Sequence, residues 1–482
     1  MTTKIKIQNY IDGQLVDPQS GQWLDNFEPA TGTAYSQVPD SGTADVDAAI
    51  AAAKKAFRGW SKTSADRRSI IMNRIADLIE RDLDQLIETE SIDNGKPEWL
   101  ARAVDIPRAA KNLRHFASTV TSSASESHAM PDAINFTLRQ PIGVVGIISP
   151  WNLPLYLLTW KIAPALATGN CVVAKPSEVT PMTAFRFSEL CIDAGLPPGV
   201  LNIVHGNGAN SGNAIVEHAD VKAVSFTGGT KTGKHIAGVV GPKLKKLSLE
   251  LGGKNPNIIF ADCNYEKMME TTLRSSFANQ GQICLCGSRV YVEKPLYEKF
   301  KADFVQRAKK LVVGDPKVQK SNLGAVVSKP HFEKILSRIE LAREEGGNVL
   351  CGGGAATVNG RCENGWFVEP TIIEGLPSDC TTNQEEIFGP VVTIQPFESD
   401  DEAVTLANGT NYGLSASVWT ENMTRGNRMA DQINAGVVWV NCWMVRDLRT
   451  PFGGVNQSGV GREGGLESIR FFTQAKNVCI KY

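Results

Sequence analysis

A thiol, a carboxylate and a carboxamide, each set among glycines or prolines, are the residues here best suited to chemistry. Cys284 lies in FANQGQICLCGSR (277–289), where Asn279, Gly281, Gln282, Gly287 and Ser288 suit a tight, partly exposed loop. A thiolate attacks carbonyl carbon well even when only a small fraction of the thiol is ionised. The plainer alternative is a small buried hydrophobe. Glu250, in LSLELGGKNP (247–256), ends a strand-like run and precedes two glycines that let the backbone approach a ligand. Burial would raise its pKa and fit it to activate water; otherwise it is a solvated strand-end carboxylate. Asn152, in SPWNLPLYLLTWK (149–161), stands between a strand-like and a helix-like run. Its amide can donate to an oxyanion, or cap a helix ahead of Pro154.

Other segments suit phosphate and ribose. In AVSFTGGTKTGK (223–234) a strand runs into Gly228, Gly229, Thr230, Lys231, Thr232, Gly233 and Lys234, then a helix. The run nearly matches a nucleotide-triphosphate loop, but His235 stands where the magnesium-binding hydroxyl belongs. Backbone N–H groups at that helix start can still hold a pyrophosphate. GNGANSG (206–212) is a loose dinucleotide fingerprint whose last glycine, Gly212, comes one residue late after Gly208. Lys175 and Glu178, in AKPSE (174–178), follow another strand, and an acid there can accept ribose hydroxyls and repel a 2′-phosphate. A solvated Lys–Glu pair is the alternative. The six histidines are scattered, so no metal site is expected.

The elements that must carry these residues alternate. Residues 44–60, 65–90 and 98–117 have helical spacing of Ala, Leu and Ile. Strand-like runs follow at 144–148, 171–175, 201–204, 223–226 and 247–251, separated by helix-like segments at 155–167, 183–194 and 230–239. This predicts βαβ units and a mostly parallel sheet. A second alternation occupies 256 to about 440, with strands at NIIF, RVYVE, VVTIQPF, SASVWT and VVWVN. Residues 118–140 are Ser-rich, then strand-like at 134–138, and read as an excursion from the first domain. At 482 residues the chain is too long for one core. With 50 basic against 51 acidic residues and no charge block, neither nucleic acid nor an anionic membrane is expected as partner. The N-terminus lacks an apolar core of signal length, and the ten cysteines form no Cys-x-x-Cys pair, so a cytoplasmic protein with reduced thiols is expected.

With SPWNLP (149–154), AKPSE (174–178), FTGGTKTG (226–233), LELGGK (249–254), FANQGQIC (277–284), EEIFGPV (385–391) and PFGGVNQSGVGREGG (451–465), the chain resembles the aldehyde dehydrogenase superfamily over nearly its full length. The resemblance implies an α/β fold with a Rossmann-like NAD-binding domain (1–119 and 142–252), an α/β catalytic domain (253–452) and a small β oligomerisation element (120–141 and 468–482). A homodimer or homotetramer follows from that last element. Cys284 would attack the aldehyde, Asn152 and the Cys284 N–H would hold the oxyanion, and Glu250 would activate water against the thioester. Lys161 would lie near the catalytic centre. NAD would contact Trp151, Lys175, Ser177, Glu178, Gly208, Gly212, Phe226, Thr227, Gly228, Gly229, Thr230, Gly233, Leu251, Gly252, Glu386 and Phe388. The sequence departs from its relatives at Gly229, where many carry serine, and at Asn456, where lysine is common. Cys286, two residues past the nucleophile, is expected to pack.

The loop before PFGG reads NCWMVRDLRTP (441–451), and its Arg446 and Arg449 are unusual for a simple alkyl aldehyde. Arginine grips a carboxylate through two parallel hydrogen bonds. Arg108, in AVDIPRAAKN (103–112), either joins this grip or pairs with Asp105 on the surface. These segments are most similar to the branch acting on 2-hydroxymuconic and 2-aminomuconic semialdehydes, with Arg108, Arg446, Leu158 and Trp160 around the substrate. Succinic semialdehyde also ends in a carboxylate, whereas the cation of betaine aldehyde would be repelled. A cofactor-independent thiol esterase is the alternative of a different class.

Overall fold

Five parallel strands lie in an order that fixes where a ligand can sit. The computed structural model describes residues 4–482. Across the first sheet these strands run Lys246–Glu250, Val221–Thr227, Val144–Ile148, Cys171–Lys175 and Leu201–Ile203. Gly459–Val460 extends one edge and the hairpin Asn9–Ile11/Gln14–Val16 the other, both antiparallel to their neighbours. From Val144–Ile148 the chain builds outward one way, then returns and builds the other way. A crevice therefore opens past the carboxyl ends of Val144–Ile148 and Val221–Thr227, where ligands of such sheets bind.

The central strands Val144–Ile148 and Cys171–Lys175 are almost wholly apolar because helices cover both faces of the sheet. Every residue of Cys171–Lys175 is buried. Helices Thr43–Trp60, Ala65–Arg81, Ile106–Thr121 and Pro154–Ala167 contribute to one core with these strands. The expected helix over 65–90 is two helices, Ala65–Arg81 and Leu83–Asn94, broken at Asp82 (φ −99°, ψ 25°). The expected 98–117 helix contains a widened turn, Ala101–Asp105, in which the Ile106 N–H bonds the Ala101 carbonyl. Pro107 supplies the cause, since it has no N–H for the carbonyl one turn back.

A second sheet holds Asn348–Cys351, Thr371–Glu374, Val391–Phe397, Arg289–Glu293, Pro256–Ile259, Ser415–Trp419 and Val437–Val440, parallel except for the first. Cys284 and Glu386 precede Arg289–Glu293 and Val391–Phe397, so strand starts of this sheet face strand ends of the first. A three-stranded antiparallel sheet joins Ser127–Ala129, Ala133–Pro141 and Thr473–Lys481. A further small sheet, Ile5–Lys6, Thr33–Pro39 and Trp23–Glu28, had no strong sequence signal because its strands are short or half-exposed. The architecture is α/β, and no helix among the described residues is long and apolar enough to cross a membrane.

Candidate active site

Three residues in a row take left-handed backbone conformations just before Cys284: Asn279 (φ 52°), Gln280 (φ 56°) and Gly281 (φ 70°). A side chain at Gly281 would place its Cβ 2.0 Å from the Gly389 carbonyl oxygen, so only glycine lets these loops touch. Asn255 Nδ2 donates to the carbonyls of Cys284 (2.7 Å) and Cys286 (2.9 Å), pinning the loop beyond the bend. Cys284 is partly exposed. Burial, then Glu386 and Glu250, raises its thiol pKa, so the resting sulfur is protonated. Among the described residues its backbone N–H donates to no backbone carbonyl. Cys286 is buried with Ile283, Leu285, Leu414, Trp439, Trp443 and Phe452, a packing position.

Asn152 Nδ2 donates one hydrogen to the Gln282 carbonyl at 3.0 Å. That bond aims the carboxamide along the nucleophile loop and leaves its second hydrogen for an oxyanion. Glu250 is 4% exposed, and both its carboxylate oxygens are buried without a hydrogen-bond donor among the described residues. Burial first, and the neighbouring Glu463 second, hold its pKa well above the carboxylate range, against the pull of Lys161 and Arg446. Lys161 Nζ reaches Glu463 Oε1 at 2.6 Å and Ser225 Oγ at 3.0 Å. Lys161 thus acts on Glu250 through the local field, with Glu463 as its partner. Glu463 lies in the glycine-rich run 451–465, where its neighbours in sequence give no signal of this pairing.

Two adjoining cavities, about 230 and 280 Å³, share Trp151, Thr227, Gly228 and Gly229 at the crevice between the strand ends. The first is also lined by Lys175, Ser177, Glu178, Gly208, Gly212 and Phe226. The second adds Asn152, Leu251, Gly252, Cys284, Glu386 and Phe388. These surfaces fit a dinucleotide. Helix Thr230–Val240 starts at Gly229 with no side-chain cap, so its first N–H groups are free for phosphate oxygens. Lys175 Nζ holds Glu178 Oε2 at 2.9 Å, which presents the carboxylate at a ribose-sized recess. A Cβ at Gly252 would lie 2.2 Å from Glu386 Oε2, and Gly253 N donates to Glu386 Oε1 at 2.9 Å, so the glycine pair seats that acid. Burial lifts Glu386 to about 7.

Thr230 and Gly233 line neither cavity; Gly233 lets its helix pack on Leu251, whose Cδ2 would sit 2.5 Å from a Cβ there. Because the helix begins at Thr230, Lys231 and Lys234 are exposed helical residues, not the lysine of a triphosphate loop. Asn456 takes a left-handed conformation (φ 54°), which asparagine adopts more readily than lysine. Sequence reasoning missed His331 and Lys334, which line the cavity of Cys284 from helix Lys329–Glu344. The His331 ring Nε2 donates to the Phe388 carbonyl at 2.7 Å, and the ring meets Trp151 edge-on at 5.0 Å. Burial lowers its pKa to about 4, so it is neutral. An ordinary amphipathic helix gave no sequence signal for either residue.

A third cavity, about 800 Å³, opens on the other side of the nucleophile loop. Leu153, Ile283 and Leu285, the chain neighbours of Asn152 and Cys284, line it with Tyr156, Trp443, Arg108 and Arg446. The Arg446 guanidinium lies over Phe452 (4.0 Å) and Trp160 (4.5 Å), and Arg108 over Tyr156 (5.3 Å). Nε and Nη2 of both arginines are buried without an acceptor among the described residues. Arg108 does not pair with Asp105, which is bound to Lys96. Arg449 is 81% exposed and pairs with Asp447 at 2.7 Å, away from the cavity. Leu158 and Trp160 line none of the three cavities: Leu158 is 1% exposed in the main core, and Trp160 acts on the site by supporting Arg446.

Comparison with known proteins matches residues 15–478 to the aldehyde dehydrogenase family. A 2-aminomuconic semialdehyde dehydrogenase of Danio rerio is 49% identical, over 99% of this chain and 98% of that relative. A 2-hydroxymuconic semialdehyde dehydrogenase of Pseudomonas sp. (strain CF600) is 47% identical over 99% of each. The NAD+ complex of an aldehyde dehydrogenase from Bacillus cereus superposes with a TM-score of 0.96 at 38% identity, covering 99% of this chain and 96% of that one.

Proposed function

The chain belongs to the aldehyde dehydrogenase family, and from that premise we propose that it oxidises 2-hydroxymuconic or 2-aminomuconic 6-semialdehyde to the dicarboxylic acid, with NAD as cofactor. The Cys284 sulfur adds to the aldehyde carbon, and its proton leaves for solvent or a neighbouring base. The new oxyanion accepts hydrogen bonds from Asn152 Nδ2 and the Cys284 N–H. NAD, when bound, supplies a hydride acceptor for the aldehyde carbon. Glu250 then takes a proton from water as the oxygen adds to the thioester carbonyl, and the Cys284 thiolate leaves. Asn152 and Cys284 stand between the dinucleotide cavities and the 800 Å³ cavity, as a reaction joining two ligands requires.

The observation that carries the substrate class is the pair of guanidinium groups with unmet donors, Arg108 and Arg446, on one largely apolar cavity. A buried cation without an anion is costly, and a substrate carboxylate would satisfy it. Leu153, Ile283, Leu285 and Trp443 offer an apolar path for a short unsaturated chain. Reduced-nicotinamide formation should therefore be strongest with the muconic semialdehydes and weakest with betaine aldehyde. Losing a charge-assisted hydrogen bond costs about 1.5–3 kcal/mol, so Arg446→Ala should raise KM for the carboxylated substrate about 10–150-fold. An unchanged KM would remove Arg446 from the carboxylate site.

The same reading includes self-association through Thr473–Lys481. This nine-residue strand is mostly exposed and pairs along one edge only within the chain. A long open edge invites pairing with another copy. Sedimentation should give at least a dimer, and Cys479→Pro, placed in that strand, should shift the protein toward monomer. A monomeric parent protein would discard the assembly.

A further inference from the structure

Beneath Asn152 lies a buried charge cluster that the chemistry above does not use. Lys96, Glu90 and Asp105 have fully buried side chains; Lys96 Nζ is bound closely by Asp105 and lies 3.6 Å from Glu90 Oε1. Its remaining contact is to the backbone: Nζ donates to the Asn152 carbonyl at 3.1 Å. A buried ion cluster is weak support for stability, since apolar residues of the same volume do as well or better. What this one provides is a fixed cation at a single carbonyl.

The segment it reaches needs holding. Pro154 has no N–H and restricts the residue before it, so the helix cannot begin earlier and organise Asn152. The Asn152 carbonyl is held instead by side chains: Asn279 at 3.0 Å, Lys96 at 3.1 Å and Asn94 at 3.3 Å. The two amides are shared, Asn94 with the Trp151 carbonyl at 2.8 Å and Asn279 with that of Gln282 at 3.2 Å. Lys96 alone brings charge. Its partner Asp105 closes the widened turn Ala101–Asp105 and borders the 800 Å³ cavity three residues before Arg108.

We propose that Lys96 is a positioning residue for the Asn152 carboxamide, and that Asp105 ties this placement to the cavity wall carrying Arg108. The proposal rests on the reading of Asn152 as an oxyanion donor. The test is a double-mutant cycle on the full-length protein with NAD and the muconic semialdehyde, using Asn152→Ala, Lys96→Met and their combination. Lys96→Met should lower kcat about 10–100-fold, as small misplacements at a reacting centre do, with KM changed far less. In the Asn152→Ala background the same change should cost no more than about twofold. Because Lys96→Met strands Asp105, Lys96→Met/Asp105→Asn is made in parallel, and whichever variant keeps the parental melting curve and NAD affinity is scored. Undiminished kcat, or losses that multiply with those of Asn152→Ala, would overturn the role of Lys96 and leave Asn152 standing. An Asn152→Ala variant with unchanged kcat would overturn both.

Discussion

Cys284→Ala should lose about 10⁴-fold or more of its NAD-dependent turnover, the scale seen when a covalent nucleophile is removed. The residue sits where a bend of three left-handed residues delivers it to the boundary between the crevice cavities and the 800 Å³ cavity. Cys286, the neighbouring thiol, is buried in a packed apolar cluster, so little rescue is expected from it. NAD affinity, read by fluorescence titration, should be nearly unchanged, since Lys175, Glu178 and the Gly229 helix start line a separate recess. Near-parental turnover would place the nucleophile elsewhere. Ester hydrolysis that persists in the variant would detach that activity from this thiol as well.

Glu250→Gln should separate the two halves of the reaction. Steady-state turnover falls about 10²–10⁴-fold when a general base is lost. The first turnover survives, so rapid mixing should show a burst of reduced nicotinamide near one equivalent of sites. The pH dependence has a defined sign. Burial and then Glu463 raise the Glu250 pKa, so its basic form is scarce at low pH and grows as pH rises. Burial raises the Cys284 thiol in the same direction. Parental turnover should therefore climb with pH, while the variant loses the part of that climb that belongs to Glu250. A variant with no burst and an unchanged pH profile would assign the base to another residue.

Much of the fold was legible because period and punctuation agree along the chain. Runs such as CVVAK (171–175) are apolar enough for strands buried on both faces, and Gly and Pro mark where they stop. The glycine-lined crevice was legible for a related reason: glycines at a strand–helix junction answer a local requirement, backbone room beside a helix start. The edge strands before residue 40 were not, since half-exposed strands carry weak patterns. Leu158 and Trp160 were expected at the substrate, but a helix buried on nearly all sides gives no sequence clue to which residues meet the cavity.

The available chemistry is written in residue type and order: a thiol in a glycine-bearing loop, a carboxylate before two glycines, and arginines ahead of PFGG. Those are properties of residue type and near neighbours, and they hold whatever the chain's path through space. Which arginines lack partners is settled by packing in three dimensions, with Arg449 paired to Asp447 and Arg108 left free because Lys96 takes Asp105. That packing alone joins Lys161 to Glu463 and Lys96 to Asn152, pairs separated by 302 and 56 positions. Long-range pairs depend on how strands order themselves across a sheet, and a linear pattern carries no record of that order.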